Sequence, residues 1–287
     1  MPASSTVNII LYSLVILVLA IGFLMSMVIF TIMFIRRDMI KRSRLEYLLL
    51  GHPYLMFMAA CPFILDLSIH SIYGHLHPDS SFDSFPCRFK AYLMYFTGYV
   101  YFYSYLLQAV YRYVRIVYHT KIRLQSFRLY AILSISLWIN GLWQLAPCLI
   151  FRLLDYMPDE FHCQLPTNDI QSSLIGLTIM FLVPYGLTLT CYACTIYYVR
   201  KRTTALVHIN QRASLRRDLT VLKHIVFLFT LVTLVAMPHV LIPIVYVLFG
   251  YIARWASPFE WLLTVLGLFG AVFLQLFLSP TMRRLFS

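Results

Sequence analysis

Two arginines, Arg112 and Arg115, stand in the stretch QAVYRYVRIVYH, where a long apolar and aromatic run ends. A guanidinium is planar, stays charged and offers five N–H donors, so it grips carboxylates and carbonyls in fixed geometry. Two chemistries fit: anchoring, with the charge reaching lipid phosphates at a membrane surface, or a hydrogen-bonding switch. The second reactive set is six cysteines, Cys61, Cys87, Cys148, Cys163, Cys191 and Cys194. Catalytic patterns are missing: there is no HExxH, P-loop or GxSxG, and no carboxylate pair within an apolar run. His52, His224 and His239 are scattered rather than at ligand spacing, so neither a metal nor another cofactor is expected, and the chain does not read as an enzyme.

The elements that must carry these residues follow from composition. Of 287 residues, 61% are hydrophobic and only 12% charged, about half the ~25% of a soluble domain. Runs free of Asp, Glu, Lys and Arg cover Met1–Ile35, Tyr47–Leu65, Ala91–Tyr111, Leu129–Phe151, Ile170–Val199, His224–Ala253 and Trp261–Met282. Each has the length of a spanning helix, about 20 residues, and lipid offers the backbone no other hydrogen-bond partners. The sequence therefore predicts an all-α membrane protein, a single seven-transmembrane helix bundle over 1–287. Its helices are placed at 8–35, 45–73, 87–119, 125–151, 168–200, 217–249 and 257–281.

Sidedness comes from charge. All but four of the 23 basic residues fall in the links after the first, third and fifth runs or in the tail; the exceptions are Arg88, Lys90, Arg152 and Arg254. Most acids lie with those four. The positive-inside rule then puts the N-terminus outside and the C-terminus in the cytoplasm. The net charge of +12 describes a face against anionic lipid, not a nucleic-acid site. The opening MPASSTVN lacks a basic region, so the first helix is expected to be an uncleaved anchor. The 201–216 link is basic and carries Thr203, Thr204 and Ser214; a solvated loop is the favoured reading over a phosphorylated one. Cys87 and Cys163 fall on the outer, oxidising side and are expected to form a bridge over the bundle mouth, with two free thiols as the other reading. The remaining four cysteines read as small apolar packing residues.

Several landmarks carry a resemblance to one family. Tyr111-Arg112-Tyr113 resembles the Asp-Arg-Tyr motif of rhodopsin-like (class A) G-protein-coupled receptors. In that family the motif arginine follows the disulfide cysteine of the third helix by 25 residues, the spacing of Cys87 and Arg112. Trp138 and Pro147 are similar to the fourth-helix pattern. Phe181, Pro184 and Tyr192 match Phe-x-x-Pro-x7-Tyr, Pro238 resembles the sixth-helix kink proline, and Ser279-Pro280 looks like a degraded Asn-Pro. The chain departs from the family at Tyr111 (for Asp), His52 (no helix-two Asp), Ala236 (for the toggle Trp) and Arg283 (for Tyr).

The resemblance implies a plasma-membrane, multi-pass receptor whose partners are an extracellular ligand and a heterotrimeric G protein. Its switch would comprise Arg112 paired with Asp218, with Tyr111, Tyr192, Pro184, Pro238 and Pro280; Arg115 is assigned to anchoring. The candidate ligand pocket is Met94, Tyr95, Gly98 and Tyr101, on a stripe that also holds Thr97, with Asp66, His70 and Gln275. Met94 stands where amine receptors carry Asp, and the seventh helix has no lysine for retinal, so the ligand is a peptide or small molecule of another kind. The alternatives are a divergent chemosensory or non-coupling seven-helix protein and a small membrane transporter. The near-absence of mid-bilayer charge and of any two-fold pattern speaks against transport.

Overall fold

The computed structural model describes residues 3–36, 44–166, 174–176, 178–203, 209–235, 237–279 and 282, with side chains except at 3, 4, 202, 203, 209–218 and 240. Within these residues the chain forms α1 (Ala3–Ile35), α2 (Arg44–Leu76), α3 (Phe85–Val117), α4 (Phe127–Ile150), α5 (Val183–Thr203), α6 (Ile209–Val235), α7 (Pro238–Phe249) and α8 (Ala256–Leu278). A short hairpin, β1 (Asp155–Met157) and β2 (His162–Gln164), follows α4. Among the described residues, five helical stretches are long and apolar enough to cross a membrane: Ser5–Ile35, Arg44–Leu76, Phe127–Ile150, Leu174–Lys201 and Ala256–Leu278. Leu219–Val235 is a shorter apolar helix. Large apolar side chains such as Leu17, Leu24, Ile135 and Ile139 point outward, as a surface in lipid requires.

The third helix is the axis. α3 packs against α2, α4, α5, α6 and the hairpin. Tyr99, Val100, Tyr101, Tyr105 and Ala109 on it are essentially inaccessible, as expected of a helix packed on several sides. Its start is fixed locally: the Ser84 side chain accepts from Cys87 N, and Pro86 occupies the first turn, where its missing N–H has no partner to lose. α8 closes the ring against α1 and α6.

Two prolines shape the bundle. The sequence predicts one continuous helix over 217–249; among the described residues Met237 instead forms a turn, its N–H reaching Leu234 O at 3.2 Å, between α6 and the start of α7 at Pro238. Pro238 has no N–H to donate into the preceding turn and is well placed at a helix start. On the fifth span a π turn, Thr178–Leu182, immediately precedes Pro184 in α5. A π turn accommodates a proline that cannot complete the regular ladder.

Cys87 and Cys163 are joined, Cα to Cα 5.7 Å, which fixes β2 to the start of α3. The hairpin register pairs Asp155 with Gln164, Tyr156 with Cys163 and Met157 with His162. β2 is buried along its whole length. In the connecting turn Phe161 adopts a positive φ of 60°, a costly conformation for a bulky residue. It is held because the ring lies against Gly74, where any side chain would collide with it, and edge-on to His75.

Candidate functional site

Beneath the hairpin lies a cavity of about 90 Å³. Ala60 and Ile64 of α2, Met94, Tyr95, Gly98 and Phe102 of α3, and Met180 and Phe181 before α5 form apolar walls. Gln164 and Leu165 of the hairpin form its lid, and His239, Glu260, Trp261 and Thr264 its polar side. Trp261 Nε1 donates to Gln164 Oε1 at 3.0 Å, tying lid to α8.

The polar side is organised around Thr264 and Glu260. Thr264 Oγ1 donates to the Glu260 carbonyl at 2.9 Å. The same hydroxyl oxygen lies 2.6 Å from His239 Nε2. The other ring nitrogen, Nδ1, meets Glu260 Oε1. Glu260 Oε2 is buried and has no partner among the described residues.

The candidate pocket residues divide. Met94, Tyr95 and Gly98 line this cavity. Tyr101 does not: its hydroxyl donates to Leu268 O at 3.1 Å and lies 3.2 Å from Tyr105 Oη. Thr97 turns back to Met94 O. Gln275 is likewise packed, accepting from Tyr105 Oη and donating to Leu50 O, each at 3.2 Å. Asp66 and His70 line a second hollow of about 270 Å³ under the 77–84 loop. There Lys90 Nζ donates to Asp66 Oδ1 at 2.7 Å, so the carboxylate already has its counter-ion.

Below the cavity several direct bonds join α2, α3 and α8. Besides Tyr101, Tyr105 and Gln275, Tyr54 Oη donates to Val272 O at 3.0 Å, and Gln108 Nε2 to Leu49 O at 3.0 Å. His52 is part of the same interior. Ser104 gives its proton to Val100 O, so His52 Nδ1 donates to Ser104 Oγ at 2.7 Å. Its Nε2 accepts from Trp138 Nε1 at 2.9 Å. One histidine thus bolts α2, α3 and α4 together.

Arg112 lies at the opposite, basic end of α3. Its Nη1 donates to Glu46 Oε1 at 3.4 Å, and Arg115 Nη1 donates to the same oxygen at 2.7 Å. Arg115 also contacts Tyr111 Oη at 3.3 Å. The Arg112 guanidinium carbon sits 5.3 Å from the Tyr111 ring centre, and that ring packs edge-on against Tyr130. The sequence assigned Arg115 to anchoring; the structure instead places it on Glu46, a residue the sequence reading did not single out. The Asp218 side chain and Pro280 lie outside the described residues. Tyr192 is half-buried against the core.

Over residues 54–273 the chain matches the family model for the seven-transmembrane receptors of the rhodopsin family. It belongs to that family. No curated protein matches the chain. The receptor keeps the family's frame, a multi-pass helical bundle with a bridged third helix, while tyrosine hydroxyls bonded straight to backbone carbonyls fill its interior.

The receptor's hairpin also buries two ionisable groups outside the spans. Glu160 Oε2 accepts from Tyr12 Oη at 2.9 Å. Burial pushes its carboxyl from 4.5 up to about 8, against the opposing pull of the Tyr12 bond. Burial also lowers His162 from 6.5 to about 4. For Glu160 the sign is that of a raised acid: stability is full below the unfolded value near 4.5 and is lost as pH rises toward about 8. His162 acts oppositely, with stability full above 6.5 and lost as pH falls toward about 4. Between pH 6.5 and 8, therefore, only Glu160 of the two contributes a slope. The melting temperature of Glu160→Gln is expected to fall less than wild type across that interval. Equal slopes for the two proteins would contradict this.

Proposed function

We propose that this receptor sits in the plasma membrane with its N-terminus outside, binds an extracellular ligand in the cavity beneath the hairpin, and signals through a heterotrimeric G protein at its basic end. The observation that carries the reading is the continuous packing of α3 from cavity wall to Arg112. A ligand pressing on Met94, Gly98 or Trp261 bears on the two helices, α3 and α8, that share the tyrosine bonds. The proline turn between α6 and α7 gives the sixth span a joint on which its basic half can swing. Arg112, released, then presents its donors to the carbonyls of a partner, with Tyr192 moving in beside it. In this account the chain catalyses nothing; nucleotide exchange is the partner's chemistry.

A library of peptides and small molecules, applied to cells carrying the receptor and a promiscuous G-protein reporter, tests this. Agonists are expected whose signal disappears in Arg112→Ala at equal surface expression. Signals that persist in that variant, or saturable flux of a compound through the protein, would favour a non-coupling protein or a transporter.

A further inference from the structure

Two spaces lie side by side at the outer end of the bundle, and one residue belongs to both. Met94 walls the cavity beneath the hairpin and also the hollow under the 77–84 loop. Strand β2 is shared in the same way: His162 and Cys163 line the hollow, Gln164 and Leu165 the cavity. Their chemistry differs. Ala60, Ile64, Phe102, Met180 and Phe181 make most of the cavity apolar. The hollow is the larger, about 270 Å³ against about 90 Å³, and holds Asp66, Asp83 and Lys90.

The charged groups of the hollow are unequally occupied. Asp83 receives Arg88 at 2.7 Å. Asp66 faces Lys90 Nζ at 2.7 Å through Oδ1 and His70 Nδ1 at 3.5 Å through Oδ2. An ammonium carries three N–H donors, and Asp66 is the one partner of Lys90 among the described residues. The open hydrogen-bonding capacity of the hollow is therefore for an acceptor. Between Lys90 and the apolar cavity stands the Met94 side chain, unbranched and with three rotatable bonds, the kind that yields most readily in a packed wall. From Lys90 to Gly98, on the far side of that wall, α3 rises by about 12 Å.

We propose that the two spaces form one binding site for a small amphiphile. Its apolar end fills the cavity, a linker of about 12 Å passes Met94, and an oxygen acceptor on its head takes a proton of the Lys90 ammonium. The proposal rests on the cavity being the ligand site.

Full-length receptor in lipid nanodiscs is titrated with three sets of compounds, reading melting temperature. The first is an apolar group alone. The second joins that group to a carboxylate or a carboxamide head at graded separations. The third is the heads alone. Near a separation of about 12 Å the joined compounds should bind about tenfold more tightly than the apolar group, the size of one hydrogen bond to a charged donor. A gain with either head supports the proposal, and comparing them reads whether charge adds to acceptance. In Lys90→Met the gain should vanish while the affinity of the apolar group is kept. That pair is exposed enough for its loss to cost the fold little. In Met94→Phe, whose stiffer ring keeps the wall shut, the gain should vanish too; if that variant does not fold, Lys90→Met still decides. A gain indifferent to separation, one kept in either variant, or heads alone binding as tightly as joined compounds overturns the proposal. If the apolar group stabilises the receptor and no head adds to it, the two-part site falls and the cavity stands. If nothing stabilises it, the cavity reading falls and this one with it.

Discussion

Cells expressing Cys163→Ser are expected to carry far less receptor at the surface than wild type, and the purified variant to melt at a much lower temperature. The bridge spans 76 residues of sequence, which in the chain-entropy account is worth on the order of 4 kcal/mol. In a membrane that figure is an upper bound, because the helices at either end stay inserted when the bundle loosens. The larger consequence is local. Cys163 is the middle residue of β2, and the flanking positions hold the hairpin to its neighbours: His162 to Ser71 at 2.9 Å on α2, and Gln164 to Trp261 on α8. Glu160, in the preceding turn, receives the Tyr12 hydroxyl of α1. Free β2 from α3 and three further attachments become fragile, with the cavity losing its lid. Cys87→Ser and the double variant should match Cys163→Ser, since each removes the same bond. Unchanged melting in all three, or in wild type under strong reductant, would show that the hairpin does not depend on the bridge.

Neutralising Glu46 should have the second large effect, at the other end of α3. Glu46 takes both Arg112 and Arg115, and the Arg112 and Glu46 side chains are only 7% and 15% exposed. An exposed ion pair contributes ~0–1 kcal/mol, but a pair this enclosed is less screened by water and worth more. A bias of about 1.4 kcal/mol shifts a two-state equilibrium tenfold. Glu46→Gln is therefore expected to raise ligand-free signalling several-fold, up to about tenfold. Asp218→Asn provides the comparison, because the family resemblance points to Asp218 as the partner of Arg112. Should Asp218→Asn raise signalling and Glu46→Gln leave it unchanged, the hold on Arg112 belongs to α6 rather than α2.

Much of this architecture is legible in the chain. Spanning helices announce themselves because lipid tolerates few charges over ~20 residues, and the Cys87–Arg112 spacing survives because it measures turns along a single helix. Relations between helices are harder. Glu46 and Arg112 meet only once the rotation of α2 against α3 is known, and no periodicity links positions 66 apart. The same holds for His239 and Glu260, which lie on either side of a turn and read as one scattered histidine and one outer acid. Tyr101 and Gln275 lie on the inward faces expected of them, but a bulky hydroxyl ring that reaches a backbone carbonyl packs the bundle instead of lining a hollow. The hairpin is too short to show an alternating pattern; its strands are set by the bridge and by buried side-chain bonds. Pro238 flags a kink, while the turn at Met237 depends on how the neighbouring backbone groups are satisfied.

The most direct test of the switch is GDP release, without ligand, from a panel of purified G proteins mixed with receptor in nanodiscs. Wild type, Glu46→Gln, and Glu46→Gln with Arg112→Ala are compared at equal folded protein. The account predicts faster release with Glu46→Gln on at least one G protein, and a return to the receptor-free rate when Arg112 is also removed. Release that is indifferent to Glu46, or that stays fast without Arg112, would contradict it.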